Sequence, residues 1–179
     1  LGYEKPILNP GSEHLGSCYN HRPSWLNLGS GMWVIFDLDG TLADIEERRE
    51  LAAKEGGKIN WGIFFNPDNI KLDKPIKKTI LLLQLLMSQG LGVAILSGRG
   101  EETRAATEAW LKQYGVEYDK LIMRPVQDYT PDDVLKQGWL NAEFPSKDQI
   151  LCVFDDRDKV VAMWRREGLL CCQVAPGDF

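Results

Sequence analysis

Histidine is nearly absent from this 179-residue chain: there are two, His14 and His21, and both precede residue 32. Acid and base chemistry in the remainder therefore falls to carboxylates, because no imidazole is there to titrate near neutral pH. Cysteine is sparse as well. Cys18, Cys152, Cys171 and Cys172 are too few and too unevenly placed for a disulfide framework, so a reduced, cytoplasmic protein is the expectation. A formal charge of -5 and a pI near 5.1 exclude a broad basic surface, though not a local groove for nucleic acid. The most apolar run, residues 79 to 96, is broken by Gln84, Ser88, Gln89, Gly90 and Gly92, which makes it a helix, a stop and a strand, with no membrane association expected. No charged and then apolar leader opens the chain.

What is present is an ordinary globular composition, 44% hydrophobic and 26% charged, sized for one domain with a real core. Residues 1 to 31 hold three prolines and five glycines without apolar periodicity, and read as an irregular extension or an appended leader. Met32 follows Gly29, Ser30 and Gly31 as a natural start would follow a linker. His14, Cys18 and His21 have a spacing open to metal binding, but no helical pattern or fourth ligand supports it.

The rest is organised around WVIFDLDGTLAD, residues 33 to 44. Trp33 to Phe36 are a short buried-strand signal that stops at two carboxylates and a glycine. In an open α/β sheet the carboxyl ends of the strands are where ligands bind. Period-2 alternation would bring Asp37 and Asp39 to one side, where two like charges call for a cation, and oxygen-only ligands favour Mg²⁺. The pair suits two jobs, Asp37 as nucleophile on phosphorus and Asp39 as acid and then base. Gly40 permits a turn closed to other residues, and the Thr41 hydroxyl can orient a carboxylate.

Three more strands deliver chemistry to the same edge. GVAILSGRG brings Ser97, Gly98 and Arg99, with a helix from residue 101 to 114, as a phosphate cradle in which Arg99 grips bidentately. A strand over 120 to 123 leads to Thr130 as helix cap, Pro131 at the first position, and Asp132, which shares a helical face with Lys136. The strand from Ile150 to Phe154 ends in Asp155 and Asp156, a second acid pair that completes a metal cage with Asp37 and the Asp39 carbonyl. Asp156 is the expected direct ligand, with Asp155 behind it. A last strand covers 170 to 174. Strands alternate with helices, including one begun by Pro75 and stopped by Gly90, so a three-layer, doubly wound parallel α/β sheet follows. Residues 45 to 73 form an insertion: a charged helical piece with four acids and four bases, then Trp61, Phe64 and Phe65, read as core more readily than as a stacking platform.

DLDGT at a strand end resembles the first motif of the haloacid dehalogenase superfamily. DLDGTLAD, ILSGR with WLKQYG downstream, PDDVLK and the tail DDRDKVVAMWRREGLLCCQVAPGDF resemble, in order, the 3′-phosphatase domain of phage polynucleotide kinase-phosphatases. The likeness spans 32 to 179 and implies a Rossmann-like core with residues 45 to 73 as a small cap. It implies Asp37 as nucleophile and Asp39 as acid/base, and phosphate binding by Ser97, Arg99 and Lys136. Mg²⁺ would sit on Asp156, with support from Asp132, Asp155 and Arg48, the last eleven residues after Asp37 as a substrate-phosphate arginine. The expected substrate is a phosphorylated nucleic-acid end, with a mononucleotide phosphatase and a catalytically silent binding module as rivals. The GxxxxGK(S/T) loop of the kinase half does not occur here, so kinase activity is not expected, and a kinase domain or ligase would act in trans.

Overall fold

In the computed structural model, which describes residues 31 to 177, five parallel strands make one sheet in the order β5-β4-β1-β6-β7. They are β1 (Trp33–Phe36), β4 (Gly92–Gly100), β5 (Lys120–Arg124), β6 (Ile150–Asp155) and β7 (Cys171–Gln173). Val34, Ile35, Phe36, Val93, Ala94, Ile95 and Leu96 are wholly buried, as a central strand covered on both faces requires. Alternation divides them between two cores. Val34, Phe36, Val93 and Ile95 pack with Ile80 and Leu83 of α4 (Lys77–Ser88) and with Trp110 and Leu111 of α5 (Arg104–Gln113). Ile35, Ala94 and Leu96 pack with Leu140 of α6 (Asp132–Glu143) and with Val160, Val161 and Trp164 of α7 (Asp158–Arg166). Helices thus cover both faces of a doubly wound sheet. The extension with His14, Cys18 and His21 lies outside the described residues.

The insertion holds α1 (Glu46–Ala52), a 3-10 turn at Glu55–Gly57, α2 (Trp61–Phe64) and α3 (Pro67–Ile70), between the short antiparallel strands β2 (Ala43–Asp44) and β3 (Lys74–Pro75). Ala52, Phe64 and Ile70 are buried in the same core as β1 and α4, so the insertion is built into the body of the domain. Trp61 is half exposed, its ring stacked on Phe65 at 5.7 Å.

Three local expectations change. Pro75 lies in β3, and α4 begins at Lys77, because residues 74 and 75 pair with 43 and 44. Pro131 occupies the cap position of α6, which starts at Asp132; the Thr130 carbonyl accepts from Arg124 Nη1 at 2.6 Å. The strand ending in Leu96 runs on to Gly100, and a 3-10 turn (Glu101–Thr103) precedes α5, which begins at Arg104. Among the described residues, no helix is long and apolar enough to cross a membrane.

Candidate active site

Asp37 continues β1, its N–H donating to the Phe154 carbonyl at 2.9 Å. The chain then turns tightly: the Leu38 carbonyl accepts from the N–H groups of Thr41, Leu42 and Ala43, and Gly40 adopts φ +84°. Strand alternation therefore ends at Asp37, and the two carboxylates take different hydrogen-bond partners.

Asp37 faces α6 and β6. Its Oδ1 accepts from Lys136 Nζ at 2.6 Å, and the same ammonium donates to Asp155 Oδ2 at 2.8 Å. Asp155 also accepts from Trp164 Nε1 at 3.2 Å and from the Arg157 N–H at 3.2 Å. Asp37, Asp155 and Asp156 each offer a carboxylate oxygen within 4.8 Å of the others, and all three are buried. Burial and the neighbouring acids Asp155 and Asp156 push the Asp37 carboxyl well up against the pull of Lys136. Burial and Asp155 push Asp156 up to about 6. For Lys136, burial lowers the ammonium's pKa, and Asp155 and Asp37 more than reverse that.

Asp39 faces the insertion. Its Oδ1 accepts from Arg48 Nη2 at 2.8 Å and from Arg99 Nε at 2.9 Å and Nη2 at 2.5 Å. Burial works to raise the Asp39 carboxyl, but Arg99 and Arg48 outweigh it and hold it below its usual range. Behind them Asp73, fully buried, accepts from Arg48 Nε at 2.8 Å and Arg99 Nη2 at 2.6 Å. The Arg48 guanidinium lies over the Phe64 ring at 4.2 Å and donates to the Phe64 carbonyl. Both guanidiniums are wholly buried and taken up by carboxylates. Arg48 and Arg99, expected as phosphate contacts, here hold Asp39 and Asp73.

Ser97 is buried, its Oγ accepting from the Arg99 N–H at 3.2 Å, which leaves its O–H to donate elsewhere. Thr41 Oγ1 is buried with no hydrogen-bond partner among the described residues, so it orients no carboxylate of the protein. A side chain at Gly40 would overlap the Asp156 carboxylate, and one at Gly98 would reach within 3.1 Å of Asp132. Asp132 does not orient Lys136. It pairs with Arg124 at the end of β5 and with Arg157 after β6, and Arg124 Nε also donates to the Gly98 carbonyl at 3.0 Å.

Asp73, Arg124 and Arg157 were given no role in the sequence reading. Arg124 closes the apolar run of β5 and Arg157 comes two residues after β6, strand-end positions like the one that singled out Ser97; Asp73 stands in no comparable pattern. The tail closes on the acid pair. The Val174 N–H donates to the Asp155 carbonyl at 3.0 Å, Gln173 Nε2 to the Asp156 carbonyl at 2.9 Å, and the Asp158 N–H to the Gly177 carbonyl at 2.8 Å.

The family described as the polynucleotide kinase PNKP phosphatase domain matches residues 32 to 179. The chain belongs to that family. It is a phosphatase on the Rossmann-like haloacid dehalogenase fold. A protein of Autographa californica nuclear polyhedrosis virus, assigned as a bifunctional polynucleotide kinase/RNA ligase, is 30% identical over 135 residues, 74% of this chain and 17% of that protein. A chain of the Pnkp1/Rnl/Hen1 complex is 34% identical with a TM-score of 0.69, covering 83% of this chain and 47% of that one. This PNKP-type domain thus spans less than half of either relative. A haloacid dehalogenase-like hydrolase from Streptococcus pneumoniae, 15% identical, shares the fold with a TM-score of 0.57 over 80% of this chain and 84% of its own.

Proposed function

We propose that the domain is a Mg²⁺-dependent polynucleotide 3′-phosphatase acting through a phosphoaspartate. The observation that carries this is the division of the strand-end acids, Asp37 among carboxylates with one lysine and Asp39 clamped by two arginines. The acid cluster fits a hard divalent cation: of three buried carboxylates only Asp37 and Asp155 pair with Lys136, and Asp37 and Asp156 have raised pKa values. Asp37, Asp156 and the Asp39 carbonyl would hold Mg²⁺, which when bound supplies charge to the phosphoryl oxygens.

Asp37 attacks phosphorus as the ester bond to the leaving oxygen breaks, and that oxygen takes the proton that Asp39 carries over from the previous turnover, a proton its two arginines make it ready to give up. Asp39, again a carboxylate, takes a proton from water; the water oxygen attacks phosphorus, the bond to Asp37 breaks, and phosphate leaves. Lys136 neutralises Asp37 and lies where a phosphoryl group on it would sit, with the Ser97 O–H and the orphaned Thr41 hydroxyl as further donors. Asp155 holds Lys136, and Asp132 braces Gly98 through Arg124.

The family and the kinase/ligase assignment of the viral relative support a nucleic-acid end as substrate, and a kinase or ligase activity elsewhere in the same or a partner chain. The test is hydrolysis of a 3′-phosphorylated oligonucleotide beside 3′- and 5′-mononucleotides with Mg²⁺. Preference for the oligonucleotide is expected. Faster hydrolysis of mononucleotides, or turnover surviving excess EDTA, overturns the proposal.

A further inference from the structure

The loop between β5 and α6, residues 125 to 131, has no part in the chemistry above, yet it leaves the same edge of the sheet. Tyr129 in this loop is 90% accessible, so both faces of the ring are open. An aromatic left this bare on a floppy loop would mean little. This loop is tied down. Arg124 Nη1 donates to the carbonyls on either side of the tyrosine, Asp128 at 3.2 Å and Thr130 at 2.6 Å, which forces residue 129 to the apex and its ring outward. The Thr130 N–H donates to Asp128 Oδ1 at 2.8 Å, and the Asp128 N–H to the Pro125 carbonyl at 3.1 Å. Gln127 is held at φ +61°, a conformation that side-chain-bearing residues seldom adopt.

The anchor of this loop is also the anchor of the phosphate turn. The guanidinium that holds residues 128 and 130 donates through Nε to the Gly98 carbonyl and pairs with Asp132, which lies against Gly98. Asp132 is the third residue after Tyr129, a span of at most about 10 Å, the scale of one nucleotide from its phosphate to the far edge of its base. Trp61, the other exposed aromatic among the described residues, already has a face on Phe65. With a net charge of -5 the chain has little basic surface on which to track a phosphate backbone, so affinity for a strand has to come from elsewhere. Stacking on an aromatic face is the usual sequence-tolerant source.

We infer that Tyr129 is a stacking platform for the base of the nucleotide bearing the scissile phosphate, a positioning residue that sets selectivity for nucleotide esters over other phosphate monoesters. This rests on the reading of the substrate as a nucleotide ester.

The experiment is a cycle of enzyme and substrate changes. Tyr129→Ala and Tyr129→Phe are compared with the unaltered protein on two 3′-phosphorylated oligonucleotides, identical except that one ends in an abasic sugar. Glycerol 2-phosphate is the substrate with no base at all. Tyr129→Ala should raise KM for the intact end on the order of tenfold, with kcat little changed. Removing the base should cost the unaltered protein the same factor and cost Tyr129→Ala nothing further. Tyr129→Phe should behave as the unaltered protein, and glycerol 2-phosphate should not distinguish the three.

Equal losses on intact and abasic ends, or none on either, overturn the platform, the first pointing to a support for the loop and the second to a surface for a protein partner. If oligonucleotides are poor substrates but mononucleotides good ones, the polynucleotide reading fails. The same cycle run with a mononucleotide against ribose 5-phosphate then decides on Tyr129 separately.

Discussion

Asp37 and Asp39 are chemically identical side chains two residues apart, and their neighbours make them unlike. Asp37→Asn removes the nucleophile and should abolish both turnover and any covalent adduct. Asp39→Asn should cost far more rate on a sugar alkoxide than on p-nitrophenyl phosphate, whose leaving group hardly needs a proton. With the activated ester a phosphoenzyme should then accumulate for want of a base, visible as a burst of nitrophenol and an adduct by mass. Equal losses on both substrates in the first step would refute the division. Arg48 gives a sharper contrast. As a phosphate contact its removal would raise KM and spare stability. As one of two cations between half-buried Asp39 and fully buried Asp73, Arg48→Ala should lower unfolding free energy by about 3 kcal/mol, read from denaturant midpoints. The sequence places Arg48 and Arg99 near the catalytic edge, but position along a strand or insertion does not say which way a guanidinium turns. That is decided by Asp73, a partner 25 residues from Arg48 and 26 from Arg99. The strand-end acids were legible because their backbone position alone brings them to the edge. Lys136 was legible for its place on the helix, but its partners Asp37 and Asp155 lie 99 and 19 residues away and had to be seen.

At the scale of elements, the strands could be read because each is a short apolar run stopped by turn or charged residues, and buried parallel strands need no alternation to show themselves. The insertion was harder. The likeness to the superfamily implies a small cap here, and Ala52, Phe64 and Ile70 anchor that insertion in the main core. Burial separates neighbours that composition treats alike. Phe64→Ala should destabilise by about 3 to 5 kcal/mol, while Trp61→Ala, at a half-exposed position, should shift stability much less. Thermal melts of the two variants check this. Similar small effects would mean that the insertion moves apart from the body. The short pairing of residues 43 and 44 with 74 and 75 was invisible beforehand, since two-residue strands carry no periodicity.

For the molecule as a whole, the acid cluster ties stability to pH and to divalent cation together. The Asp156 carboxyl lies at about 6 against an ordinary 3.8. A carboxyl raised on folding contributes stability that is fully present below its unfolded value and is lost as pH rises through its folded one. Without divalent ions the melting temperature should therefore fall between pH 5 and pH 7.5 from this source. Mg²⁺ binds the ionised carboxylates, so its stabilisation should be large at pH 7.5 and small at pH 5. A shift of equal size at both values would place the cation elsewhere. One edge of the sheet is also braced in a way the cores alone would not provide. Arg124, Asp132 and Arg157 join the ends of β5 and β6 to the start of α6, and the Gly98 carbonyl adds β4 to the same cluster. In terms of motion, the phosphate turn, the 125 to 131 loop and the arginine beside the acid pair are coupled and cannot open one at a time. Amide hydrogens along this edge should exchange as one cooperative group, so the site breathes by rare concerted openings and stays preorganised between turnovers.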